Sequence, residues 1–206
     1  MRLLDLFTGT GSVAKAAREM GYEVVSLDLI NADINCDVLN WNYRTYDASH
    51  FDLVWASPPC ETFSRVRRSN IGRHGITRES IERDMIEIGV PILRKTEEII
   101  DYFKPKLWFI ENPQTGYMKD FIKDKPYYDV DYCKYSDWGI RKRTRIWTNK
   151  KDFIPRVCNR DCGYIRDGRH LCCATGGNAK TKGQGSGSDK RSRYRIPKLL
   201  IHELLL

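Results

Sequence analysis

The chain has 206 residues, enough for one domain with a full core or for one domain carrying a small attachment. It has 35 Lys and Arg against 27 Asp and Glu, and the formal charge of +8 suits a nucleic-acid partner without requiring one. No apolar run approaches the ~20 residues that cross a bilayer, and "MRLLDLFTGTG" turns polar too soon for a secretory leader, so the expectation is a cytoplasmic protein with no membrane partner.

"RLLDLF" reads as a buried strand and "SVAKAAREM" as a helix with Val13, Ala16, Ala17 and Met20 on one face, Ser12 as its N-cap and Gly21 just past its end. The turn between them, "DLFTGTGS", places glycines at positions 9 and 11, where backbone can approach a ligand near a helix N-terminus. A second strand, "EVVSLD", closes on Asp28, whose carboxylate can accept hydrogen bonds from ribose hydroxyls. The lysine of a triphosphate-binding loop is missing from the glycine turn, so a neutral or cationic nucleoside fits it better than a pyrophosphate.

The third strand, "FDLVWAS", runs into "SPPCETFS". Two prolines remove two backbone donors and hold the chain extended, so the strand stops abruptly and presents Cys60 beside the polar Glu61, Thr62 and Ser64. At that place Cys60 is a nucleophile, a metal ligand or a bystander. The following "SRVRRSNIGRHGITR" has five arginines, one histidine and no acid, and is placed to close over a phosphate backbone. Ile81, Met85, Ile88, Ile92, Ile99 and Phe103 then mark one face of a long helical stretch, with Pro91 kinking it or opening a second helix. "KLWFIEN" is a fourth central strand with Glu111 at its end. "YDVDYCKY" and "TRIWTN" make an antiparallel edge, and Arg143 and Arg145 alternate so as to share one face. The alternation predicts a doubly wound α/β fold with a mostly parallel sheet.

From residue 151 the character changes. Seven cysteines, an odd number, favour catalysis or metal over a disulfide framework, and Cys158, Cys162, His170 and Cys172 form C-x3-C-x7-H-x-C, a ligand set that suits one structural tetrahedral zinc. "ATGGNAKTKGQGSGSDKRSR" is polar, basic and glycine-rich and reads as a flexible loop; "IPKLLIHELLL" reads as an amphipathic closing helix. The expected organisation is a catalytic domain at 1–150, a short cysteine-rich and basic recognition segment at 151–195, and a helix at 196–206 that packs back on the first.

Taken together, "DLFTGTGS", "SPPC", "ENP" and "RKRTR" resemble, in order, the motifs of the DNA cytosine carbon-5 methyltransferases. The resemblance implies a Rossmann-like methyltransferase fold that takes S-adenosylmethionine. Asp5, Phe7, Gly9, Gly11, Leu29, Val38 and Pro58 would form its pocket, Asp28 would hold the ribose and Asp37 the adenine amine. It further implies that Cys60 is the nucleophile, Glu111 grips the cytosine edge, and Arg143 and Arg145 lie near the base. The implied partner is duplex DNA with the cytosine flipped out of the stack, met by a monomer; transfer RNA is the alternative substrate, and a non-catalytic nucleic-acid binder the alternative role. The chain departs from the family in the short span between "TRIWT" and "RYRIPKLL", and in Arg141, which stands where the family's arginine motif begins with glutamine.

Overall fold

The computed structural model describes residues 1–173 and 194–206, with the side chains of Cys172 and Cys173 outside the description. The chain runs β1 (Arg2–Leu6), α1 (Ser12–Glu19), β2 (Glu23–Asp28), β3 (Ile34–Asn35), β4 (Leu53–Ala56), α2 (Arg78–Asp84), α3 (Val90–Phe103), β5 (Leu107–Pro113), β6 (Tyr127–Asp131), β7 (Ile140–Arg141), β8 (Arg143–Thr148), β9 (Ile165–Arg166), β10 (Arg169–His170), β11 (Cys172–Cys173) and α4 (Lys198–Leu205). Seven strands form one sheet in the order β3-β2-β1-β4-β5-β8-β6; the first five are parallel, and β8 runs antiparallel to both its neighbours.

Side-chain alternation along these strands divides the core into two layers. Leu4, Leu6, Val54, Ala56 and Ile110 face α3, whose Leu93, Ile99, Ile100 and Phe103 complete that layer together with Phe51 and Phe63. Leu3, Leu53, Trp55, Phe109 and Ile146 face the other way, against Val13, Ala16 and Ala17 of α1 and Leu200, Ile201, Leu204 and Leu205 of α4. Apolar side chains on both faces make near-continuous hydrophobic runs, which is why "RLLDL" and "LVWA" carry so few polar residues.

Several local expectations change. Gly11, left-handed at φ 71°, is the N-cap of α1, and Ser12 is its first helical residue; a left-handed cap is a conformation that glycine adopts without the penalty a side chain would bring. The stretch 78–103 is two α-helices joined by a π-helical turn, Met85–Gly89. Pro91, at the start of α3, has no N–H to give to the preceding turn, so the ladder widens there. The extra residue rotates the face: Ile81, Ile99 and Phe103 are buried while Ile88 is 49% exposed. "YDVDYCKY" keeps a strand only to Asp131 and then turns through a 3-10 segment, Tyr132–Lys134. No helix among the described residues is long and apolar enough to cross a membrane. The glycine-rich stretch 174–193, expected to be a flexible loop, lies outside the described residues.

Candidate active site

Sheet order reverses between β1 and β4, and at such a switch point the loops leaving adjacent strands diverge to opposite faces and open a crevice. A cavity of about 500 Å³ occupies it, lined at the strand ends by Asp5, Phe7 to Thr10, Leu27 to Leu29, Ser57 to Glu61 and Glu111 to Pro113.

One end is built from the glycine turn and the end of β2. Phe7, at φ 62°, is a non-glycine residue in left-handed backbone, a strained conformation that the turn enforces: the N–H groups of Phe7 and Thr8 both donate to the Leu27 carbonyl. Gly9 N–H donates to one Asp28 carboxylate oxygen at 2.8 Å and Leu29 N–H to the other at 2.7 Å, so two backbone groups aim this carboxylate. Asp37 and Val38 line the same end, and Leu29 leaves an apolar side chain 66% exposed beside it. Asp5 is buried on the wall, and burial pushes its carboxyl up to about 7, against the pull of the Thr8 hydroxyl that donates to it at 2.7 Å. Gly11 shapes the turn but is not part of the lining.

The other end holds Cys60 and Glu111. Asn112 ties their two loops together, its amide nitrogen donating to the Pro58 carbonyl at 2.8 Å. Its Oδ1 is buried and has no hydrogen-bond partner among the described residues. Glu111 is 6% exposed and accepts from the Tyr132 hydroxyl at 2.9 Å, while the Lys142 ammonium stands 3.6 Å from the same oxygen and over the Tyr132 ring. Desolvation, with the negative charge on Glu111, drives the Tyr132 phenol well above its ordinary range, so this hydroxyl stays a donor. The Cys60 thiol is also raised: burial has the largest effect, Lys142 opposes it, and Glu111 and Glu61 add to it.

Arg143 and Arg145 do share a face, but it is not the face of Glu111. Cross-strand pairing sets Arg143 opposite Asp131 and Arg145 opposite Asp129, and each guanidinium forms a two-pronged ion pair there, with bonds of 2.6 and 3.1 Å and of 2.7 and 2.8 Å. Arg145 also stacks on Tyr127, 3.5 Å from its centroid. Neither arginine lines the cavity. Glu111 pairs with Ile146, so the face it shares includes Thr144 and leads to Lys142, which does line the cavity. Lys142 and Tyr132 are therefore the site residues that the motif reading passed over. Their signal is parity relative to Glu111, and that depends on a cross-strand register which no single segment contains.

Beyond the nucleophile, Arg65 and Arg68 sit exposed on a 3-10 segment with both guanidinium groups 4.9 Å from the Tyr117 ring centroid, and Arg67 pairs with Asp84 at 2.6 Å. Of the four residues expected to bind metal, Cys158, Cys162 and His170 come together; they do so with Cys133, and the Cys172 side chain lies outside the described residues.

The chain is 46% identical over 215 aligned residues to the "Probable DNA (cytosine-5)-methyltransferase" of Frog virus 3 (isolate Goorha), which covers 100% of this chain and 99% of that protein. Among solved structures it is similar to one assigned as a "DNA modification methyltransferase" encoded within an E. coli prophage, with 14% identity, a TM-score of 0.50, and coverage of 77% of this chain and 52% of that one. The chain thus spans about half the length of that structure. A mutant of Spodoptera frugiperda DNMT2 is similar at 15% identity and a TM-score of 0.49, over 82% of this chain and 61% of that one. No family model matches the chain.

Proposed function

This chain belongs to the DNA (cytosine-5)-methyltransferase family, and from that premise we propose that it methylates carbon 5 of a cytosine in DNA, using S-adenosylmethionine. The observation that carries the reading is the convergence of Cys60, Glu111 and Lys142 at one end of a cavity whose other end presents Asp28 and Asp37.

The residues present fit a cationic nucleoside. Five carboxyl groups, those of Asp5, Asp28, Asp37, Glu61 and Glu111, line the cavity together with apolar walls from Phe7, Leu29 and Val38. Asp28 would take the ribose hydroxyls and Asp37 the adenine amine. When bound, S-adenosylmethionine supplies an electrophilic methyl group on a sulfonium sulfur.

Carbon 5 of cytosine is a poor nucleophile until a thiolate adds at carbon 6. Cys60 Sγ forms that bond, and the displaced ring electrons make carbon 5 enamine-like and able to take the methyl group. Glu111 faces the N3 edge and shares a proton there, which stabilises the charge that develops as the thiolate adds. Tyr132 donates to Glu111 and so holds its orientation, leaving the second carboxylate oxygen for the base. Lys142 favours the thiolate form of Cys60 and stands 3.6 Å from the Glu111 oxygen that Tyr132 holds. After transfer carbon 5 gives up its proton to water, the C–H electron pair forms the carbon 5–carbon 6 double bond, and the C–S pair leaves with sulfur to release Cys60 as thiolate. Because the thiol approaches the ring from one side and the methyl from the other, the base must leave the stack. The exposed arginines after Cys60 suit contacts to the phosphates that flank it.

The experiment is covalent trapping on duplex DNA containing 5-fluorocytosine, where fluorine cannot leave as a proton. A stable protein–DNA adduct is expected in the presence of S-adenosylmethionine. Cys60→Ser should lose both adduct and methylation while binding the methyl donor as before. Trapping on fluorinated RNA but not DNA would move the substrate to RNA, and an active Cys60→Ser protein would remove the nucleophile from this reading.

A further inference from the structure

Residues 154–171 form a segment with almost no core of its own. Cys158 is the sole buried residue within it, while Ile154 and Val157 are 85% and 37% exposed. Its only regular structure is the two-residue pair β9 and β10. A segment this short and this poor in buried apolar surface needs some other tie to hold one conformation.

The tie available is a convergence of four side chains. Sγ of Cys133, Cys158 and Cys162 and a ring nitrogen of His170 all lie within 4.8 Å of one another. His170 Nε2 is 3.5 Å from Cys133 Sγ and 3.4 Å from Cys158 Sγ. In a tetrahedral site with zinc–sulfur bonds of ~2.3 Å and zinc–nitrogen bonds of ~2.0 Å, the sulfur-to-nitrogen edge is about 3.5 Å. The three cysteines are free, so the convergence is not made by a disulfide. Lys134, Arg141 and Arg160 lie close enough to act electrostatically on these groups, and three cations offset the net negative charge of a tris-thiolate zinc centre.

We propose that Cys133, Cys158, Cys162 and His170 bind one structural zinc ion that staples the segment 154–171 to the turn after β6. Three thiolates and an imidazole in closed tetrahedral array are a ligand set for zinc and leave no position open for chemistry. Cys133 comes from the body of the fold and the other three ligands from the segment, so the ion replaces the missing apolar contact between them. The backbone N–H of Cys158 donates to the buried Asp131 at 2.8 Å, which supports the same junction without the metal.

The test is elemental analysis of the full chain, expressed with zinc and purified without chelator. About one zinc per chain is expected. Cys133→Ser and Cys162→Ser should each lose it, whereas Cys36→Ser and Cys172→Ser should keep it. Should Cys133→Ser fail to fold, cobalt exchange into the unaltered chain provides the second measurement, with thiolate-to-cobalt charge-transfer bands and tetrahedral d–d bands expected. Metal-free folded protein whose three thiols react freely with alkylating reagent would overturn the proposal. Zinc retained in Cys133→Ser but lost in Cys172→Ser would overturn the ligand assignment. None of these readouts requires the chain to methylate anything.

Discussion

Cys60 begins with a thiol that burial holds above the usual range, and the largest opposing influence is the Lys142 ammonium. The attacking form is the thiolate, whose fraction rises with pH, so methyl transfer should increase towards alkaline pH along a limb set by this group. Lys142→Gln removes the charge that lowers the thiol, so the limb should move to higher pH by on the order of one unit, with kcat falling at neutral pH. Arg143→Gln and Arg145→Gln should leave the limb in place, because their guanidinium groups are spent on Asp131 and Asp129. A pH profile of kcat for the three variants checks this. An unmoved limb in Lys142→Gln would return the role of active-site cation to the arginines.

At the scale of elements, the π-helical turn at Met85–Gly89 is the feature that brings α3 against the loop following Cys60. A Cβ at Gly89 would lie 2.5 Å from Thr62 Oγ1 and 2.9 Å from the Phe63 ring. Alanine is the better helix former by about 1 kcal/mol, but Phe63 is fully buried and cannot yield. Gly89→Ala should therefore destabilise the chain by about 1–3 kcal/mol, the usual cost of overpacking. The strain falls on Thr62 and Phe63, two and three residues past the nucleophile, so kcat should fall more than the affinity for the methyl donor. Urea denaturation and calorimetric titration of the donor separate the two effects. Similarly, β8 inserted between β5 and β6 decides the fate of its arginines, since a strand flanked on both sides has its faces assigned by two sets of partners.

The whole molecule closes by returning its C-terminus to its beginning. α4 lies on α1, with Leu200, Ile201 and Leu204 fully buried, and the Tyr22 hydroxyl donates to the Leu205 carbonyl at 2.9 Å. Leu204→Ala should cost about 2–5 kcal/mol in urea denaturation, and a loss under 1 kcal/mol would mean that the helix only rests on the surface. Much of this architecture is readable in the chain alone. Strand runs such as "LVWA", the glycine turn, Asp28 at a strand end and the proline-stopped Cys60 each depend on residues within a few positions of one another, and local sterics and period suffice to read them. The paired alternation of Arg143 and Arg145 was legible for the same reason. Which face that alternation presents was not, because a strand has two, and the choice is made by Asp129 and Asp131 across one neighbour and by Glu111 across the other. Cys133 joining Cys158, Cys162 and His170, and Lys142 and Tyr132 joining Glu111, are contacts between segments far apart in sequence. Local pattern carries no information about such distances; they follow only once hydrophobic burial on both faces of the sheet has fixed the register of every strand.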